Sequence, residues 1–250
     1  MNYLKTKGIV IREVNTGEAD KIITILTKSN GRITAFVRGA RRPRSTLAAG
    51  TQLLTYSDYV LFSGREMYSV NNSDVIESFY EIRNDMVRLT NAAHFIDIIN
   101  DIVQENQPAQ KVLRLLLNSL HMLAKTDKSS ELIARIFEIR LLSINGYEPY
   151  INDCIICGNN DFESCSFSFQ KCGFICDKES CISNDRFTMQ LCPGTVKTIR
   201  HIINSPMNNL FSFNSSPMVL DELGKLTRRY LKERLEKDYN KLDFLKKIEK

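Results

Sequence analysis

The sequence predicts an α+β protein in which a small β-barrel precedes a helical body with a cysteine-rich insertion. Three observations predict it. Short strand-like runs bounded by turn residues fill about the first 75 positions, and apolar residues then recur at spacings of three and four. Six of the seven cysteines fall between Cys154 and Cys181.

The barrel elements come first. Gly8-Ile9-Val10-Ile11 and Ile22 to Thr27 read as strands, and Ser29-Asn30-Gly31 supplies a turn in which Asn-Gly takes positive φ cheaply. Arg32 to Arg38 then pairs back, with Ile33, Ala35 and Val37 alternating against Arg32, Thr34 and Phe36. After the loop Gly39 to Gly50, Gln52 to Phe62 reads as a fourth extended segment and Met67 to Val70 as a short fifth. Five short strands fit a small closed barrel such as the OB-fold, and equally an SH3-like barrel or an open sheet. Phe36, Tyr56, Tyr59 and Tyr68 have rings that could stack bases, but in a small barrel such aromatics are more often core, and they are read so here.

From about Val75 the period becomes helical. Phe79, Ile82, Met86, Leu89, Ala93, Ile96, Ile99 and Val103 line one face of one long helix or two consecutive ones. Pro108 is expected in the first turn of the next helix, which carries Leu113, Leu116, Leu117 and Leu120. Ser129 or Ser130 caps a third, which ends at Gly146. Pro193 to Asn204 and Pro217 to about Leu235 complete the set, the last with Lys225, Arg228, Arg229, Lys232 and Arg234 on its outer face.

A chain of 250 residues, 43% hydrophobic, buries enough surface for one large domain or two modest ones. Its net charge of +5 is polarised: residues 1–50 hold ten Lys/Arg against three Asp/Glu, and residues 224–250 hold ten against five. Basic ends attract polyanions at long range, whereas a run of lysines on its own is a solvated surface. Met1 to Gly8 lacks the apolar stretch of a signal peptide, so a cytoplasmic location is expected, and with it cysteines that bind metal or stay free rather than pair.

Cys154-Ile-Ile-Cys157-Gly158 has the form of a metal knuckle, two thiolates three residues apart with a glycine for the turn. Eighteen residues separate Cys157 from Cys176 and four separate Cys176 from Cys181, so Cys154, Cys157, Cys176 and Cys181 are the predicted ligands of one structural Zn²⁺. Cys165 and Cys172 are spare thiols able to replace a ligand, and Cys192 reads as a small buried hydrophobe beside Pro193. A closed four-sulfur shell stabilises and does not catalyse. The competing enzymatic reading, a Cys-x-x-Cys oxidoreductase, needs an exposed thiolate at a helix N-terminus and leaves the second cysteine cluster unexplained.

Phosphate loops, dinucleotide glycine fingerprints, His-Glu-x-x-His and Gly-x-Ser-x-Gly are all missing. His94, His121 and His201 lie in helical stretches and are read as helix-surface or partly buried residues. The pattern therefore predicts no catalytic constellation. Arg38-Gly39-Ala40-Arg41-Arg42-Pro43-Arg44-Ser45 packs four guanidinium groups into seven positions, a sequence suited to phosphate and equally to a solvated loop.

Several ordered motifs make the chain resemble the RecO family of bacterial recombination mediators. They are Gly8-Ile9-Val10-Ile11, Gly17-Glu18-Ala19-Asp20-Lys21-Ile22, the Arg38 to Ser45 loop, Phe137-Glu138-Ile139-Arg140, Gly146-Tyr147-Glu148-Pro149 and the Cys154 knuckle. The resemblance implies an OB-fold at 1–76, a helical bundle at 77–150 and 192–250, and a zinc-finger insertion at 151–191. It further implies a non-enzymatic, nucleoid-associated protein that binds single- and double-stranded DNA and anneals complementary strands. Such a protein contacts RecR and the single-stranded DNA-binding protein, and helps load RecA. DNA contact is carried over to Arg38, Arg41, Arg42 and Arg44; Lys5, Lys7, Lys28 and Arg32 are added from charge alone. The rival from another class is a zinc-ribbon adaptor that docks proteins.

Overall fold

The structure, a computed structural model, describes residues 3–162, 164–183, 185 and 187–248. The chain forms two compact units, one of Met1–Leu89 with Ile96–Ala124, the other of Thr90–Phe95 with Lys125–Lys250.

In the first unit β1 (Tyr3–Thr16), β2 (Asp20–Thr27), β3 (Arg32–Val37), β4 (Tyr56–Ser63) and β5 (Tyr68–Glu77) close a barrel in the order β1-β2-β3-β5-β4. The parallel pairing of β3 with β5, Ala35 opposite Tyr68, completes the Greek-key closure of an OB-fold and removes the sheet's edges. A register shift between Val10 and Arg12 bends β1, so that its first half pairs with β4 and its second half with β2. Alternation fills the interior: Val10, Ile23, Ile25, Ile33, Ala35, Val37, Tyr59 and Leu61 form the core. Each fully buried aliphatic among them contributes roughly 1.5–3 kcal/mol.

Three sequence expectations fail in this unit. Gln52 to Thr55 is a run of turns rather than the start of β4, and β5 continues to Glu77 where a helical period was expected from Val75. Val75 and Ile76 are apolar yet exposed, so they mimic a helical stripe without being core. The helices that follow are a single turn, α1 (Tyr80–Arg83), then α2 (Met86–Ile102), capped by Asp85 accepting from the Arg88 N–H at 2.9 Å. Pro108 precedes α3 (Gln110–Lys125) instead of lying in its first turn.

The second unit is built on α4 (Ser130–Ile144), which packs against α6 (Pro193–Asn204) and α7 (Pro217–Leu235). Ser129 caps α4 through the Leu132 N–H, and Gly146 has the positive φ of 88° its position calls for. Phe137 stacks on Phe95 at 4.1 Å between centroids. A three-stranded sheet of β6 (Cys165–Ser168), β7 (Gly173–Cys176) and β8 (Thr188–Leu191), in the order β7-β6-β8, holds the cysteine region beside the one-turn α5 (Glu179–Ile182). Phe167 meets Tyr230 of α7 edge-on at 5.4 Å, and Arg229 lies 3.9 Å above the Phe169 ring, which ties the sheet to α7. The last described element is α8 (Lys241–Ile248). Among the described residues no helix is long and apolar enough to cross a membrane.

Candidate functional site

The segment after β3 projects its arginines by holding everything else inward. Gly39, with φ 64°, turns the chain so that its N–H donates to Asp20 Oδ1 at 2.6 Å, and the Arg41 N–H donates to the Ala19 carbonyl at 2.9 Å. Ala40 on one side and Leu47 on the other are drawn onto the barrel core. At the far end the Tyr59 hydroxyl donates to the Gly50 carbonyl at 2.6 Å, and burial raises the Tyr59 pKa well above its ordinary value. Arg38, Arg41, Arg42 and Arg44 are left exposed, and none has a side-chain hydrogen bond or ion pair. Unpaired guanidinium groups on a pinned loop are ready to take phosphate oxygens bidentately.

The other predicted cations do not join them. Lys5 and Lys7 are exposed on β1 near Gly8, Gly8 pairs with Thr27, and Lys28 follows directly. The arginine loop leaves β3 where Val37 pairs with Lys21, whereas Arg32 pairs with Leu26 at the opposite end. Five residues of strand separate these ends, roughly 17 Å. The set therefore divides into an arginine loop and a lysine group at opposite ends of the β2–β3 hairpin. Arg32 belongs with the lysines, half-buried, its Nε without a partner.

In the second unit the Sγ atoms of Cys154, Cys157, Cys176 and Cys181 all lie within 4.8 Å of one another, with Cys157 and Cys176 at 3.6 Å. A tetrahedron of sulfurs around a zinc ion, with Zn–S near 2.3 Å, has edges of about 3.8 Å, so the four thiols fit one such ion. The Gly158 N–H closes the knuckle on the Cys154 carbonyl at 2.8 Å, and α5 takes up the extra residues between Cys176 and Cys181. Burial opposes the Cys154 thiolate, yet backbone hydrogen bonds at Cys176, Cys157 and Ile156 outweigh it and bring the thiol down to about 6. Cys165 pairs with Cys176 across β6 and β7 but stands outside the cluster, its thiol pushed up to about 12 chiefly by burial. Cys172 turns away to the Phe169 carbonyl, and Cys192 is half-buried at the start of α6 beside the Thr195 hydroxyl rather than in the core.

Residues 1–79 match the family model described as Recombination protein O N terminal, and residues 83–243 match Recombination protein O C terminal. The chain belongs to the RecO family. It is 60% identical over 250 residues to the DNA repair protein RecO of Acetivibrio thermocellus, covering all of this chain and 99% of that one. The DNA repair protein RecO of Alkaliphilus metalliredigens is 34% identical over 246 residues, 98% of this chain and 99% of its own. That of Caldicellulosiruptor saccharolyticus is 35% identical over 248, covering 99% and 100%. Two RecO motifs gain a physical reading here. Asp20 of Gly17-Glu18-Ala19-Asp20 anchors the Arg38 to Ser45 loop, and Glu138 and Arg140 of the α4 motif serve the interior.

Sequence reading missed that interior. His94, expected at a surface or partly buried, is 2% exposed, with Nε2 2.7 Å from Glu138 Oε1. Arg135 donates to the same carboxylate at 2.7 Å and to the Thr227 hydroxyl at 3.0 Å. Burial pushes Glu138 up, but the Arg135 charge and then His94 outweigh it and hold the carboxyl at about 2. A mid-helix histidine with a glutamate 44 positions away leaves no local signal. The basic face of α7 also differs from its appearance in sequence. Lys225 pairs with Asp221, Arg228 with Asp243, Arg229 with Glu233 and Lys232 with Asp238.

Proposed function

We propose that the chain is a non-enzymatic DNA-binding mediator of recombinational repair, which anneals complementary strands and helps load RecA. The observation that carries this reading is the arginine loop: Arg38, Arg41, Arg42 and Arg44 exposed and unpaired on a backbone pinned to an OB-fold barrel. Annealing makes and breaks no covalent bond. A basic surface lowers the repulsion between two phosphate backbones, and contact without base readout leaves base edges free to pair.

In this reading residues 1–76 are the DNA-binding domain, and the cysteine insertion at 151–191 interrupts a helical bundle of 77–150 and 192–250. Cys154, Cys157, Cys176 and Cys181 hold one structural Zn²⁺, with no open position for water. The protein works in the cytoplasm at the nucleoid, on single- and double-stranded DNA, with RecR and the single-stranded DNA-binding protein as partners. Support for these partners is family membership.

The test is annealing of complementary oligonucleotides across a salt series, with and without chelator. Annealing should accelerate at low salt and fade steeply as salt rises. A protein that binds no oligonucleotide in dilute buffer would remove the reading altogether.

A further inference from the structure

The lysine group left over from the arginine loop has a place of its own. Lys5, Lys7 and Lys28 meet Arg114 of α3 around a cleft of about 480 Å³ within the first unit. Tyr56 and Leu117 form apolar wall between them. The side-chain lining contains four cations and, among the described residues, no carboxylate. None of the four cations has an ion pair. Lys7 stands opposite Asp58 in the β1–β4 register without pairing to it.

The cleft is also preformed. The Asn106 N–H donates to the Asn30 carbonyl and the Ala109 N–H to the Lys28 carbonyl, both at 3.0 Å, fastening the β2–β3 turn to the segment that enters α3. Gly31, with φ 58°, permits that approach, since a Cβ there would lie 2.2 Å from the Gln104 carbonyl oxygen. Four like charges held around a rigid concavity repel one another until an anion enters. A half-buried tyrosine beside them offers a face for a flat ring, the pairing of features found where single strands are bound through phosphate and base together. Bases already stacked in a duplex have no free face to offer such a ring.

We propose that this cleft is a second single-strand site, separate from the arginine loop. It takes one unstacked nucleotide, its phosphates on Lys5, Lys7, Lys28 and Arg114 and its base against Tyr56. The inference rests on the reading of the chain as a nucleic-acid binder and deepens it: loop and cleft lie at opposite ends of the β2–β3 hairpin and can hold two strands at once.

The experiment uses the full chain with three probes: a fluorescent dT15, an abasic oligonucleotide of equal length, and dT15 carrying 4-thiothymidine for photocrosslinking. Wild-type protein should crosslink at Tyr56, and the Arg41→Ala, Arg42→Ala, Arg44→Ala variant should keep that crosslink. Tyr56→Leu should weaken dT15 about tenfold and leave the abasic strand unchanged. Lys7→Glu with Arg114→Glu should weaken both strands. Crosslinks mapping elsewhere, or cleft variants that bind dT15 as wild type does, overturn the proposal while leaving the loop intact. Loss in cleft variants alone upholds the cleft and removes the loop. An Asp/Glu-rich peptide that binds wild type, fails on Arg114→Glu and is not displaced by dT15 makes this a peptide site and ends the proposal. The crosslink needs no variant, so a misfolded mutant leaves the question decidable.

Discussion

The arginines of the two units are used in opposite ways. In the helical unit all six described arginines are engaged: Arg135 on Glu138, Arg140 and Arg200 on backbone carbonyls, Arg228 and Arg229 on carboxylates, Arg234 on the Phe169 carbonyl. In the barrel unit Arg12, Arg32, Arg38, Arg41, Arg42, Arg44, Arg65 and Arg114 have no side-chain partner, and only Arg83 and Arg88 do. The difference teaches that local charge counts do not locate a polyanion site. Residues 1–50 and 224–250 are both basic in sequence, yet the described cations of α7 are neutralised by acids on the same helix or just beyond it. Apart from Lys21, which pairs with Glu13, the described cations of residues 3–50 remain free for phosphate.

Four perturbations test that contrast, beginning with the largest effect. Cys154→Ser, or a chelator acting on the Zn²⁺ proposed for the four-thiol site, should destabilise the helical unit by several kcal/mol in urea unfolding. The salt dependence of DNA binding by the undenatured protein should not move. A flattened salt slope would show that the helical unit belongs to the phosphate surface after all.

Next is the interior network. Glu138→Ala leaves Arg135 buried without its counter-charge and should cost roughly 3–5 kcal/mol of stability. Because the folded Glu138 carboxyl is held at about 2, below its ordinary value of 4.5, its contribution is present above pH 4.5 and is lost as pH falls through the folded value. Unfolding free energy measured from pH 5 to pH 2.5 should therefore fall less steeply in Glu138→Ala than in wild type. Parallel curves would show that Glu138 is not depressed.

Replacing Arg41, Arg42 and Arg44 with Ala should leave stability nearly unchanged. On single strands the slope of log K against log salt should flatten by about 2, with affinity at low salt reduced about tenfold. An unchanged slope places the phosphate contacts elsewhere. The smallest effect sharpens the contrast from the other side. Asp221→Asn with Asp238→Asn frees Lys225 and Lys232, whose exposed pairs contribute little to stability. If pairing is what silences α7, this variant should bind oligonucleotides a few-fold more tightly at low salt.

Much of the architecture was legible where the signal is local. Ile33, Ala35 and Val37 alternate in sequence and point into the barrel, Ser129 caps α4, and α6 and α7 run from Pro193 and Pro217 as their prolines announced. Elsewhere the sequence misled for identifiable reasons. Val75 and Ile76 extended a helical stripe into what is strand, because an exposed apolar pair carries the same pattern as a buried one. Of the barrel aromatics read as core, Tyr59 is core and Tyr68 packs against it, while Phe36 and Tyr56 are half-exposed. The strands β6 to β8, four residues each, are too short to show a period.

The sequence by itself determined the fold class, the bounds of the later helices and the cysteines able to share an ion, since periodicity, caps and ligand spacing act over a few residues. Tertiary structure alone decided which charges are free. Whether Lys5, Lys28 and Arg114 share a cleft, whether Arg228 finds Asp243, and whether His94 meets Glu138 depend on which elements come together in space. The free energy of a charge depends on its neighbours and its burial far more than on its residue type.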